Sequence, residues 1–279
     1  MISVLILTKN EQKDLPGCLE SVSWCDDVHV LDSGSSDDTC ALARALGANV
    51  VVKTYPDSRK SFGGDEAAHR NWSLQNTPFK YPWVLLVDAD ERVTVELVAA
   101  IKKAVTLPGD RVAFQVQRRD FFMGTWLKHA QQTPFYLRLF RPEKIRYERL
   151  INPVSVVEGP VGSVGGYLDH FPFSKGISHW IERHNSYSSL EASQINGARL
   201  AHAKVSLRKA LTASDFHERR FHQKEIFYRV PFRPLVKFMF LYFYKRGFLD
   251  GKAGTTYALL QAMYEYMIVV KVRELKLAK

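Results

Sequence analysis

The run Leu85-Leu86-Val87-Asp88-Ala89-Asp90-Glu91 turns abruptly from apolar to acidic. Ionised groups at the end of a buried strand are expensive unless something pairs with them. Two other strand-like runs end in comparable polar clusters, Thr8-Lys9-Asn10-Glu11 and Asp32-Ser33-Gly34-Ser35. Ligands of open α/β sheets bind at the carboxyl ends of the strands, so three polar ends on one rim argue for a site there. Asp88 and Asp90 are two residues apart, and in an extended segment they point the same way, toward one cation. Two hard carboxylates with few other protein ligands suit Mg²⁺ or Mn²⁺, which complete their coordination with water and phosphates. The plainer alternative is that these acids cap the helix that follows.

The elements needed to hold such a rim are legible in the first half. Residues 3–7 are a continuous apolar run, as expected of a strand buried on both faces. Asp14 and Pro16 open a helix carrying Leu15, Cys18, Leu19 and Val22. A second strand covers Val28 to Asp32. Ser35 or Ser36 can cap the next helix, with Asp37 and Asp38 in its first turn and Gly47 at its end. Asn49 to Val52 is a third strand, Asp65 to Leu74 a helix, and Trp83 to Val87 a fourth strand. Thr94 caps a helix over Val95 to Val105. Strands and helices in alternation predict an α/β fold with a mostly parallel sheet. Beyond residue 110, Arg111 to Arg118, Tyr136 to Phe140 and Val154 to Val157 read as strands, and the pattern is mainly helical from Ile177.

The segments "ISVLILTKNE", "VHVLDSGSSDDT" and "WVLLVDADERV" resemble the three successive donor-site motifs of the family 2 nucleotide-sugar glycosyltransferases, which have the GT-A fold. The likeness extends through "RRDFFMGTWLKHA", "LRLFR", "VVEGPVG", "HWIERHNSYSSLEA" and "KRGFLDGKAG" to a bacterial subgroup acting on lipopolysaccharide core or exopolysaccharide intermediates. The resemblance implies a UDP-sugar donor and a lipid-linked saccharide acceptor. It places Thr8, Asn10, Glu11, Ser33, Gly34 and Ala89 at the nucleotide sugar, with Asp32 against the uracil or ribose. Asp88 and Asp90 would hold the metal bridging the diphosphate, whose departure a divalent cation stabilises. Lys9, Lys53 and Arg70 either assist phosphates or are surface charges. His170 is the best placed of His170, His179 and His184 to add a metal ligand, against the reading of a packed histidine. Trp180, His184, Asn185 and Tyr187 share helical spacing and fit either packing or sugar contact.

Inverting transfer needs a carboxylate to take the acceptor hydroxyl proton. The resemblance places it just before "VEGPVG", but the stretch reads Arg149-Leu150-Ile151-Asn152-Pro153, and proline accepts no proton. Glu148, Glu158 and Asp120 are the alternatives. Pro153 also leaves open a catalytically silent nucleotide-sugar-binding protein.

Charge is unevenly placed. Residues 201–279 hold 16 Lys+Arg against 6 Asp+Glu, so the net charge of +10 lies entirely in this tail. This suggests a division into 1–200, the catalytic domain, and 201–279, a basic, aromatic helical region. The apolar stretch 238–244 is too short to span a bilayer, which takes roughly 20 residues. A basic face beside Phe and Tyr suits a helix lying on an anionic membrane, or one packed on the first domain. No nucleic-acid motif appears, and no G-x-G-x-x-G follows the first strand, so neither a nucleic-acid partner nor a dinucleotide oxidoreductase is expected. Three cysteines without metal-ligand spacing, Cys18, Cys25 and Cys40, and no secretion signal fit a cytoplasmic protein, peripheral to the inner membrane. Oligomeric state is not indicated.

Overall fold

The structure, a computed structural model, describes residues 1–279 except 58–60, 132, 149–152, 201–204, 214–215 and 278–279. The chain divides into two compact units. One comprises Met1–Phe121 with Thr133–Ser174, the other Phe122–Gln132 with Lys175–Lys279. The second unit therefore takes in a helix that precedes the shift in charge at residue 200.

The first unit carries β1 (Ser3–Thr8), α1 (Leu15–Ser21), β2 (Val28–Asp32), α2 (Thr39–Ala45), β3 (Asn49–Val52), α3 (Glu66–Asn76), β4 (Val84–Asp88), β5 (Glu91–Val93), α4 (Val95–Thr106) and β6 (Ala113–Phe122). After β7 (Thr125–Trp126), which lies in the second unit, come β8 (Phe135–Phe140), β9 (Ile145–Glu148), β10 (Val154–Val157) and β11 (Val161–His170). The main sheet runs β3-β2-β1-β4-β8-β6-β11-β5, and β9 and β10 form a separate ribbon. β1 lies parallel to both β2 and β4. Val4 and Ile6 point into a core with Leu15 and Leu19 of α1 and Leu97 and Ile101 of α4. Leu5 and Leu7 point into the opposite core with Leu86, Phe140, Ala67 of α3 and Tyr147 of β9. Burial on both faces explains the unbroken apolar runs.

Local chemistry sets the helix starts. Thr94 Oγ1 accepts from Leu97 N at 3.3 Å, and Asp65 Oδ1 from Ala68 N at 2.9 Å. The start of α2 departs from expectation. Its N-cap is Asp38, not Ser35 or Ser36, because Ser35 is drawn into the β1 and β2 loops. β5, β9 and β11 also form where no strand was predicted. In β11, Gly166 takes φ +85°, and a side chain there would meet the α4 backbone at Leu97, 2.6 Å away. The glycine that weakens strand propensity thus allows the helix to pack on the sheet.

The second unit is helical: α5 (Ile177–Leu200), α6 (Leu207–Thr212), α7 (Phe216–Phe227), α8 (Arg233–Met239) and α9 (Gly251–Leu277). Ala192 and Ile195 of α5 pack with Tyr228 and with Ile268 and Val272 of α9. Among the described residues, no helix is long and apolar enough to cross a membrane. Trp180 is buried and stacks on His184 at 3.7 Å, so these two serve packing, while Asn185 and Tyr187 are exposed.

Candidate active site

Register brings the polar strand ends side by side: Thr8 pairs with Asp32, and Leu7 with Asp88. The Asp32 carboxylate is fully buried. Its Oδ1 accepts from Gly34 N at 2.9 Å and Ser35 N at 2.7 Å, and its Oδ2 from Thr8 Oγ1 at 2.8 Å and from Ser35 Oγ. Four donors fill a carboxylate's acceptor capacity. Asp32 therefore shapes the turn through Gly34, which has φ +81°. Ser33 N donates to Thr8 O at 3.0 Å, and Lys9 Nζ to Ser33 O at 3.2 Å. Asn10, itself left-handed at φ 56°, takes Ser36 N on its Oδ1 at 2.9 Å, while Glu11 N donates to Thr39 Oγ1 at 2.8 Å. The loops after β1 and β2 are thus laced into one platform.

The acids at the end of β4 find their partners in arginines. Phe114 pairs with Leu139 and Gln115 with Leu137, which leaves Arg138 without a partner residue on β6. Such a bulge re-aims a side chain. Arg138 Nη2 lies 2.7 Å from Asp88 Oδ2 and 2.7 Å from Glu91 Oε1. Glu91 Oε2 accepts from Asp88 N at 2.9 Å. Arg70 Nη2, bound to Glu66 Oε1 at 2.7 Å, comes within 3.9 Å of Asp88 Oδ1, and its guanidinium faces the Tyr147 ring at 5.3 Å. Burial would lift Asp88, but Arg138 and Arg70 outweigh it and hold the carboxyl well below the usual carboxylate range. Burial with the Asp88 charge lifts Glu91 to about 7, against the pull of Arg138. Where two carboxylates share one guanidinium, the better paired keeps its charge more firmly.

The extended Asp88–Asp90 segment predicted from the sequence is absent. β4 stops at Asp88, and Ala89 and Asp90 form a turn. The Asp90 carboxylate therefore faces β11, where His170 Nε2 is 3.2 Å from Asp90 Oδ2. His170 Nδ1 is 2.5 Å from Asp120 Oδ1, and His170 pairs in register with Glu91 on β5 and Asp120 on β6. Burial disfavours the imidazolium, but the bonds to Asp120 and Asp90 outweigh it and raise His170 to about 9. A cation bound at Nε2 would displace the proton from that nitrogen, as ligation by histidine requires.

Asp88, Asp90 and His170 are the groups at this end of the sheet that could hold a divalent cation. Asp90 and His170 offer a hard oxygen and an imidazole nitrogen, while Asp88 Oδ2 is taken by Arg138. Among the described residues, no three His, Cys, Asp or Glu side chains are grouped to hold a metal. Cations bound through one or two protein ligands plus substrate phosphates need no such group. The Asp88 and Asp90 side chains keep 31% and 27% of their surface exposed, so this end of the sheet opens to solvent.

The three base candidates separate. Asp120 is buried and committed to His170, with Arg118 Nε 3.1 Å away. Glu148 and Glu158 are exposed on the β9–β10 ribbon, each 3.2 Å from Arg146. The intervening 149–152 lies outside the described residues, and Pro153 follows it. Arg70, read as either a phosphate aid or a surface charge, is drawn into the site. Lys53 packs over Trp72 at 4.4 Å. Cys18 is fully buried and burial pushes its thiol up, which suits a core residue. Arg138 and Tyr147 escaped the sequence reading. A lone arginine within Tyr136-Leu137-Arg138-Leu139-Phe140 was the available signal.

Residues 3–163 match the family described as Glycosyl transferase family 2. The lipopolysaccharide core biosynthesis glycosyltransferase LpsC of Rhizobium meliloti is 26% identical over 277 residues, covering 97% of this chain and 91% of that protein. An uncharacterized glycosyltransferase of Rickettsia typhi is 25% identical over 291 residues, covering 99% and 88%. Among solved structures, glucosyl-3-phosphoglycerate synthase from Mycobacterium tuberculosis, in complex with Mn²⁺, UDP-glucose and phosphoglyceric acid, aligns over 43% of this chain and 44% of that one. That alignment has 24% identity and a TM-score of 0.35. The mixed sheet with polar loops at its carboxyl rim, and the family match over more than half of the chain, lead to one assignment: the chain belongs to glycosyl transferase family 2 and is a glycosyltransferase of GT-A fold.

Proposed function

We propose that the protein moves a hexose from a nucleotide sugar, UDP-linked, to a lipid-linked or polysaccharide acceptor, with inversion at the anomeric carbon and with Mg²⁺ or Mn²⁺. The observation that carries this is the convergence of the Thr8–Asp32 platform with the solvent-open Asp88 and Asp90 carboxylates on one sheet end. Thr8, Asn10, Glu11, Ser33 and Gly34 line the nucleotide, and Asp32 sets the turn that presents their backbone. Asp90 and His170 would hold the cation, with Asp88 and Ala89 beside it. Bound there, the cation supplies charge neutralisation for the departing diphosphate. Arg70 adds a guanidinium for the phosphates. Asp120 orients His170, which leaves Glu148 or Glu158 to take the acceptor proton.

The name of the Rhizobium meliloti relative supports a lipopolysaccharide core acceptor, and with it peripheral residence at the cytoplasmic face of the inner membrane. The test is a thermal-shift panel of nucleotide sugars with and without Mn²⁺ or Mg²⁺. A ligand at 100 times its Kd stabilises by about 2.7 kcal/mol, so the right donor raises Tm. No metal-dependent shift with any UDP sugar, in protein that is folded, removes the donor assignment.

A further inference from the structure

The helical unit presents an apolar face to the outside. α8 runs without interruption into a π-helical turn, Phe240–Tyr244. The inner side of this segment is fixed. Leu241 is buried, and buried Arg233 stacks on Tyr228 at 4.9 Å and reaches Glu265 Oε2 at 3.0 Å. Its outer side is a stripe of Leu235, Val236, Met239, Phe240, Phe243 and Tyr244, spaced as one face of a helix. All six are exposed, Phe243 by 54% and Tyr244 by 76%. Phe232 before the segment is exposed and left-handed at φ 52°, and Phe248 and Leu249 beyond it are exposed too. Contiguous apolar surface of this kind marks an interaction site.

The charges around the stripe identify the partner. Beside the stripe, residues 240–252 contain Lys245, Arg246 and Lys252 against the single acid Asp250, while Arg233 is buried against Glu265. Asp250 is buried and spent on the backbone N–H groups of His129 and Ala130. An isologous dimer would set this patch against itself, with Lys245, Arg246 and Lys252 facing their own copies. A bilayer with anionic headgroups satisfies both features, because aromatic rings enter the headgroup boundary while Lys245 and Lys252 meet phosphates.

We propose that residues 232–252 form a membrane-docking surface, in which the stripe from Leu235 to Tyr244 lies in the interface of an anionic bilayer and the flanking lysines bind its headgroups. This rests on the reading that the acceptor is lipid-linked, and it names the residues that bring the enzyme to it.

The full chain is sedimented with vesicles of phosphatidylcholine alone and with 3:7 phosphatidylglycerol to phosphatidylcholine, a ratio of about one anionic lipid in three. Binding to the anionic vesicles is expected, weakening with added salt. The triple variant Phe240→Ser/Phe243→Ser/Tyr244→Ser and the double variant Lys245→Glu/Lys252→Glu should each bind about tenfold less or weaker still. Phe240, Phe243, Tyr244 and Lys252 are exposed and Lys245 is half-buried, so circular dichroism should match the parent. Vesicle binding unchanged in the triple variant overturns the proposal. So does a dimer that the triple variant dissolves in vesicle-free sedimentation velocity, which would assign the face to a second copy. Donor-induced thermal shift, measured without vesicles, should persist in both variants. Its absence in the parent would count against the transfer reading and leave the docking result standing.

Discussion

The guanidinium of Arg138 meets the carboxylate of Asp88 at 2.7 Å, from a position that the β6–β8 pairing leaves out. This contact answers why an apolar strand can end in acids. Removing one member of a buried, hydrogen-bonded charge group leaves the other uncompensated, at a cost of roughly 3–5 kcal/mol. Arg138→Met should lower unfolding stability by about that amount in urea titrations. Adding Glu91→Gln should recover part of the loss, because the two positions share one interaction. Additive losses in the double variant would deny the coupling.

His69 gives an acid-sensitive contribution to stability. It is buried, with Nδ1 2.6 Å from the Tyr55 hydroxyl, and burial with the nearby Lys53 and Arg70 charges lowers it to about 4. Below its unfolded value near 6.5, the unfolded chain takes up a proton that the native chain refuses. The stabilisation is therefore whole above pH 6.5 and is lost as pH falls toward 4, by on the order of 3 kcal/mol. His69→Gln should be less stable than the parent at pH 8, and the gap should narrow on acidification. A gap constant between pH 8 and pH 4 would contradict this.

Asp120 is expected to act through His170. Losing a carboxylate that orients a metal-binding histidine costs about 10–100-fold in metal affinity or activity. Asp120→Asn should reduce the apparent Mn²⁺ affinity in a donor-binding titration by that factor. If it instead abolished turnover while metal and donor affinities stayed at parent values, Asp120 would be the base.

Glu148→Gln and Glu158→Gln divide the remaining possibilities. General-base assistance is worth about 10²–10⁴ in rate, so the variant lacking the base should lose turnover on that scale with donor affinity unchanged. The other should lose little, since each makes only an exposed pair with Arg146, worth about 0–1 kcal/mol. Parent rates in both variants would move the base elsewhere.

What the sequence disclosed follows the range of the forces involved. β1, β2 and β4 were legible because burial on both faces writes itself as an unbroken apolar run. Their order put Thr8, Asp32 and Asp88 on one rim. β11 was hidden by Gly162, Gly165 and Gly166, and the reason for Gly166 lies in α4, about 70 residues away in the chain. Without β11, the row Glu91–His170–Asp120 has no visible register. Asp32 was expected to contact the nucleotide, and its acceptors are taken by Thr8 of β1 and by its own turn, a matter of tertiary and backbone geometry. Arg138 depended on a pairing offset between β6 and β8 that no local pattern encodes.

That offset has an evolutionary corollary. Leu137 and Leu139 already face consecutive residues of β6, so excising codon 138 would produce a flush ladder with every other partnership retained. A deletion there would spare the ladder yet strand Asp88 and Glu91 without their guanidinium, so the offset in β8 and the acids beside β4 stand or fall together.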